Sequence, residues 1–206
     1  METKRIPLFP LEVVLFPGAL LPLHIFEPRY KLMVRHCREH EEPFGVVLSQ
    51  GEAIAQVGCS AEILEVAKEY PDGKLDILTM GRHPYRVVEI FQEREYWEAS
   101  VEFLEEEPFE EPSPNASLME LYTRSHHLVF GGPPDVSEES SFEFLTFQIA
   151  SEMPLDLAYK QKLLEMRNEG DRQMSLEGAL QKWLIDFEQL SRARRIAGGN
   201  GHAKVN

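Results

Sequence analysis

Pro7-Leu8-Phe9-Pro10-Leu11, Leu15-Phe16-Pro17-Gly18 and Leu21-Pro22-Leu23-His24-Ile25-Phe26-Glu27-Pro28-Arg29-Tyr30 make up nearly all of residues 7–30, and the fold turns on how this opening is read. Behind Lys4 and Arg5 its apolar content imitates an export signal, but Pro7, Pro10, Pro17 and Pro22, together with Glu12, forbid one continuous helix. No other stretch approaches the roughly 20 uninterrupted apolar residues that a membrane-spanning helix needs. A soluble, unexported, cytoplasmic chain with no membrane partner is therefore expected. A strand is read at Val13 to Phe16, within otherwise irregular backbone. Leu8, Phe9, Leu11, Leu15, Phe16, Leu20, Leu21 and Leu23 are many apolar side chains for such backbone, so some of them are expected to line an exposed patch or groove.

The opening runs into a helix. Tyr30, Met33, Val34 and Cys37 fall at i, i+3, i+4 and i+7, and Pro28 suits a first helical position. Glu27 then stands at the strand-to-helix junction, where a carboxylate favours the helix amino terminus. Beyond the helix, Phe44 to Leu48, Ala61 to Tyr70, Leu75 to Met80, Tyr85 to Phe91 and Trp97 to Leu104 are short runs rich in β-branched or aromatic residues. Pro71-Asp72-Gly73 marks a hairpin between two of them. In the last run Trp97, Ala99, Val101 and Phe103 alternate with polar residues, which gives one buried face.

From Glu105 to Asn115 the chain is acidic and carries prolines, as a connector does, and the period after it is helical. Leu118, Leu121, Tyr122, Ser125, Leu128 and Val129 form one stripe; Phe142, Leu145 and Ile149 a second; a third helix is read from Leu155 to Asn168. The longest stripe carries Leu176, Leu180, Trp183, Leu184, Phe187 and Leu190. Gly131-Gly132-Pro133-Pro134 breaks the first two helices apart. The expected division is a β-rich unit at 1–112, a helical bundle at 113–197 and a frayed tail at 198–206.

With 21 Lys and Arg against 35 Asp and Glu, the net charge of −14 makes nucleic acid a poor partner. Two cysteines, Cys37 and Cys59, are too few for a disulfide framework and fit reduced thiols. His24 to Tyr30 offers a base, an acid, a cation and a phenol within seven positions, but fold-specifying roles explain it better than catalysis: Glu27 caps and pairs, and Tyr30 lies on the apolar stripe. His36-Cys37-x-x-His40 has metal-ligand spacing, yet Cys37 belongs to the buried face and basic side chains suit a helix carboxyl end. His126 and His127 point about 100° apart on a helix and read as surface residues. Arg192, Arg194 and Arg195 read as cations of a last helical turn. No metal, cofactor or catalytic residue is expected.

In order and spacing the opening motifs resemble the amino-terminal substrate-recognition domain of Lon proteases. Phe44-Gly45-Val46, Val57-Gly58-Cys59-Ser60-Ala61-Glu62-Ile63, Asp72-Gly73-Lys74-Leu75-Asp76-Ile77 and Gly81-Arg82 leading to Tyr85-Arg86-Val87 continue the likeness in register. The helical half is similar in layout, with Gln161 to Glu165 its most family-like stretch. The resemblance implies an α+β fold, an N-terminal PUA-like β-barrel with one inserted helix followed by a C-terminal α-helical bundle. It also implies capture of polypeptide substrates or of a partner protein such as an AAA+ protease. Neither a G-x-x-x-x-G-K-[ST] phosphate loop nor the glycine-flanked serine and lysine of the Lon peptidase occurs in the sequence, so a non-catalytic, stand-alone module is expected. Binding is expected at His24, Phe26, Glu27, Arg29, Tyr30, Arg82 and Arg86. The competing expectation is a small-molecule or enzymatic site between the β-rich unit and the bundle, using His24, Glu27, Arg82 or Arg86.

Overall fold

A computed structural model describes residues 3–51, 53–108, 115–135 and 145–199, with the side chains of 194–199 excepted. The fold is α+β. Its first half holds strands β1 (Lys4–Leu11) and β2 (Leu20–Ile25), helix α1 (Pro28–His40), then β3 (Phe44–Gln50), β4 (Ala53–Glu69), β5 (Leu75–Phe91) and β6 (Trp97–Phe103). Helices α2 (Ala116–Phe130), α3 (Leu145–Glu152), α4 (Leu157–Glu165) and α5 (Glu169–Gly199) follow.

The proline-bearing opening departs from the sequence expectation. Val13 to Phe16 is not a strand, whereas the segments on either side of it are. Strands accept proline where no ladder partner needs its missing N–H. Pro7 lies opposite Glu98 of β6, where no β3 residue is in register, and Pro10 lies opposite Val47 of β3, past the end of the β6 register. Pro22 sits in β2, which pairs only with β5 among the described residues. Leu15 and Phe16, between the strands, are buried plugs, and Phe16 stacks on Phe147 of α3 at 5.7 Å.

Five strands pair in a closed ring: β1 with β3, β3 with β4, β4 with β5, β5 with β6, and β6 back to β1. Only β1–β3 is parallel; the other contacts, and that of β2 on β5, are antiparallel. β4 and β5 are each 17 residues long, so the runs read as Leu75 to Met80 and Tyr85 to Phe91 are one strand and β4 begins at Ala53. Gly81, within β5, is a close approach: a Cβ there would lie 2.1 Å from the Phe16 carbonyl oxygen.

Within the ring, Ile6, Leu8, Val47, Ala99 and Val101 pack around Tyr85, whose hydroxyl donates to the Val46 carbonyl at 3.1 Å. A larger cluster combines Met33, Val34 and Cys37 of α1 with outward side chains of the strands and with Tyr122, Phe147, Leu163, Leu176 and Leu180 of the helices. β3 is buried on both faces, which explains its unbroken apolar run.

The helical half is tied down by polar contacts that hydropathy does not reveal. Arg172 is 1% exposed; it donates to both Glu106 oxygens (3.0 and 2.8 Å), to Glu169 and to Thr146, and lies 4.2 Å from the Phe147 ring centroid. Arg167 donates twice to the Glu105 carbonyl. The start of the acidic connector is therefore clamped against the α4–α5 junction, while its residues 109–114 lie outside the described residues, as does Phe142. Asn115 caps α2 through Ser117 N–H, and Gly131, at φ 82°, closes it. The expected helix from Leu155 to Asn168 is shorter, because α4 ends at Glu165 and α5 starts at Glu169. Leu128, Val129 and Leu190 are exposed, against the stripe reading, because α2 and α5 present those positions to solvent. α5 runs through Gly199, and residues 200–206 of the expected tail lie outside the described residues. Among the described residues no helix is long and apolar enough to cross a membrane.

Candidate functional site

Among the described residues two open margins of the sheet carry exposed apolar or charged side chains. One is β2. Leu20 and Phe26, at its two ends, are each 56% exposed. His24 Nδ1–H donates to Asp76 Oδ1 at 2.6 Å across the β2–β5 register, and the Tyr70 hydroxyl donates to Asp76 Oδ2 at 2.7 Å. These hydrogen bonds, His24 first and Tyr70 second, hold the Asp76 carboxyl below the usual range. With Nδ1 so engaged, Nε2 of His24 is the ring nitrogen left for another contact, and the His24 ring stacks on the Phe26 ring with centroids 5.9 Å apart.

At the start of α1, Glu27 occupies the N-cap position but its side chain makes no capping bond. It accepts from Arg29 instead, at 2.9 Å from Nε and 2.8 Å from a terminal nitrogen. The Arg29 guanidinium lies over the Tyr30 ring at 4.6 Å. Tyr30 is buried and packs on Phe9, with ring centroids 4.1 Å apart. The remaining two expected residues stand elsewhere: Arg82 donates to Glu62 at 2.6 Å, and Arg86, exposed on β5, is in register with Val57 and Glu102. Phe26, His24, Glu27 and Arg29 thus share one neighbourhood, and Arg82 and Arg86 do not join it.

The other margin belongs to β4. β3 is registered with β4 only as far as Ala61, so Glu62–Glu69 pair with β5 alone among the described residues. Beside this flank lies a groove of about 1120 Å³, walled by Glu62, Ile63, Leu64, Glu65 and Val66 and, across from them, by the carboxyl end of α1 at Glu41 and Glu42. Arg38, Arg82, His83 and Phe103 complete its lining. Sequence reasoning named only Arg82 here; the hint available was Glu41-Glu42-Pro43 directly after the α1 stripe.

The histidine motifs resolve into local contacts. His36 and His40 rings are 4.3 Å apart and His40 Nδ1 donates to the His36 carbonyl, but Cys37 is turned into the core, where burial and, secondarily, Glu42 push its thiol up to about 12. Cys59 is buried as well, and burial raises its thiol further. Among the described residues no group of three or more His, Cys, Asp or Glu side chains is gathered to hold a metal. His126 is not the surface residue expected: its Nδ1 donates to the Gly132 carbonyl at 2.8 Å and its Nε2 lies 3.6 Å from the Glu152 carboxylate, which also accepts from the Tyr122 hydroxyl. Arg192 is 3.9 Å from Glu188, and the side chains of Arg194 and Arg195 lie outside the described residues.

The family profile of the ATP-dependent protease La (LON) substrate-binding domain matches residues 5–182. The Lon protease of Cytophaga hutchinsonii is 25% identical over 219 residues, covering 98% of this chain and 26% of its own length. That of Escherichia coli K12 is 28% identical over 193 residues, covering 83% and 24%. Protein cereblon of Xenopus tropicalis is 32% identical over 143 residues, covering 66% of this chain and 31% of its own. The chain therefore spans about a quarter of the length of the Lon proteases it matches. In fold it is similar to a Lon N-terminal domain protein from Xanthomonas campestris, with TM-score 0.65 at 24% identity over 86% of this chain and 97% of that one. It is also similar to the N-terminal domain of Mycobacterium avium complex Lon protease, with TM-score 0.58 at 13% identity over 86% and 98%.

Proposed function

The chain belongs to the LON substrate-binding domain family, and from that premise we propose that it is a non-catalytic polypeptide-binding module that takes hold of unfolded, apolar segments. The observation that carries this reading is the β2 margin, where an unpaired strand flank is bracketed by two side chains, Leu20 and Phe26, that are each 56% exposed. An extended client adds main-chain hydrogen bonds to such a flank and places alternate side chains on the apolar ends, which tolerates many sequences. Phe26, His24 Nε2, Glu27 and Arg29 are the proposed contacts, with Tyr30 as their buried support; Arg82 and Arg86 would meet only a client that continues around the sheet. Pro22 limits the pairing to a short stretch and guards the flank against self-association.

In the same reading the closed strand ring is a PUA-like barrel, residues 1–112 are the recognition unit and 113–197 the bundle that braces it. The setting is cytoplasmic, and the partner is a polypeptide client or an AAA+ protease. The second reading, a small-molecule or enzymatic site using His24, Glu27, Arg82 or Arg86, finds no gathered set of side chains, because His24, Glu27 and Arg82 each engage a different partner. Calorimetric titration with a reduced, permanently unfolded client and with its folded form tests the proposal. Binding of the unfolded form alone, weakened about tenfold by Leu20→Ser/Phe26→Ser, is expected. Equal affinity for both forms, or none for either, would sink it.

A further inference from the structure

The groove on the β4 margin differs in chemistry from the β2 margin. Its wall is a run of five consecutive residues, Glu62 to Val66. Because the β3 register ends at Ala61, the flank of Glu62–Val66 away from β5 has no strand partner among the described residues, and its backbone N–H and C=O groups point outward. Leu64 and Ala67 have no partner in the β5 register, and these two irregularities divide the edge Glu62–Glu69 into three short stretches.

Facing that edge is the carboxyl end of α1, whose last carbonyls carry partial negative charge. Four carboxylates, Glu41, Glu42, Glu62 and Glu65, line the groove against two guanidinium groups, Arg38 and Arg82, and Arg82 is already held by Glu62 at 2.6 Å. Between the charged rims, Ile63, Leu64, Val66 and Phe103 supply apolar surface. The volume, about 1120 Å³, lies at or just above the upper end of the roughly 300–1,000 Å³ of small-ligand sites. A nucleic-acid backbone would meet carboxylates here and be repelled.

We propose that this groove takes an extended polypeptide segment in which basic side chains alternate with apolar ones, added as a short strand to the free edge of β4. The segment's main chain meets the edge at Glu62–Val66, its apolar side chains face Leu64 and Phe103, and its Lys or Arg side chains meet Glu41, Glu42 and Glu65. This rests on the polypeptide-binding reading and gives it a second surface with a stated preference, so that clients with basic, apolar stretches are held at two places.

The test uses the full chain and synthetic peptides of about ten residues followed by fluorescence anisotropy: one alternating Lys or Arg with Leu or Val, one with Glu replacing the basic residues, and one with alternate amides of the basic peptide N-methylated. The basic peptide should bind, and raising salt from about 0.1 M to about 0.5 M should weaken it. The acidic peptide should fail. Glu41→Lys/Glu65→Lys, a pair of exposed substitutions, should weaken the basic peptide about tenfold or more, and N-methylation should weaken it comparably by removing the donors of an added strand. Equal binding by the double variant overturns the proposal. So does a chain that binds an unfolded client but not the basic peptide, which leaves the polypeptide-binding reading standing; loss of both peptide and client overturns both. A dimer in sedimentation that the double variant abolishes would assign the groove to a second copy of this chain and also overturn it.

Discussion

The interior of the strand ring and the open margins of the same sheet are made by the same strands, yet they are held in opposite ways. Inside, Tyr85 is fully buried against Ile6, Leu8, Val47 and Val101, and two glycines make room for its ring: a Cβ on Gly45 or Gly58 would lie 2.4 or 2.5 Å from its hydroxyl oxygen. Nothing there tolerates an added methyl. At the β2 margin the contacts are exposed and polar, His24 with Asp76 and Glu27 with Arg29, and two large apolar side chains, Leu20 and Phe26, are exposed while Ile25 stays in the core. The lesson is a division of labour. Apolar close packing fixes the ring and so places its edges in space, and weak, solvent-screened pairs shape the surfaces that those edges present.

The sharpest test of that contrast is Gly58→Ala. Its Cβ would meet the Val46 carbonyl oxygen at 2.4 Å as well as Tyr85, and neither yields without moving the ring, so a loss of about 3 kcal/mol or more is expected from urea unfolding. A change below about 1 kcal/mol would show that the ring is looser than its packing implies.

Arg172→Met asks whether the helical half depends on its buried cation as the ring depends on its glycines. Removing one partner of a buried pair costs about 3–5 kcal/mol. Glu106 reaches solvent and softens this, so about 2–3 kcal/mol is expected, with Glu106→Gln milder than Arg172→Met. An unchanged urea midpoint would mean the clamp on the connector contributes nothing.

At the margin the expected effects are smaller and depend on pH. Because the folded-state Asp76 carboxyl is depressed, its contribution is present above the unfolded value of about 3.9 and is lost as pH falls through the lower folded value. Asp76→Asn should therefore flatten the dependence of stability on pH below about pH 4 while leaving its acid-limit value nearly unchanged. An Asp76→Asn curve parallel to the parent's throughout would show that the His24 pair is not coupled to folding. Smallest of all, Leu190→Gln, at a site 62% exposed on α5, should stay within about 0.5 kcal/mol. A larger loss by thermal unfolding would show that this exposed apolar side chain is covered in solution.

The buried face of α1 was legible. Tyr30, Met33, Val34 and Cys37 are the buried residues that the spacing indicated, because a helix face is a local property of the chain. β1 was not legible, and of β2 only its junction with α1 was, since their prolines read locally as breakers and only partners some 40 to 90 positions away, Val47 and Glu98 for β1, leave the proline flanks free. Arg172 carries no mark in the sequence that sets it apart, and its burial goes with pairing to Glu106 from the connector. At the candidate site, the pairing of Glu27 with a cation was foreseen but its side-chain cap was not borne out, and Asp76 and Tyr70 were not foreseen, being brought to His24 by strand register.

By itself the sequence determined the family and the order of a β-rich half before a helical one, because motif spacing and hydrophobic period are carried by neighbouring residues. The tertiary structure alone decided that five strands close on one another, that the β2 flank and the far end of β4 stay open, and which charges line them. Strand pairing is non-local: register joins residues whose separation along the chain carries no signal, and an edge exists only where every possible partner has gone elsewhere.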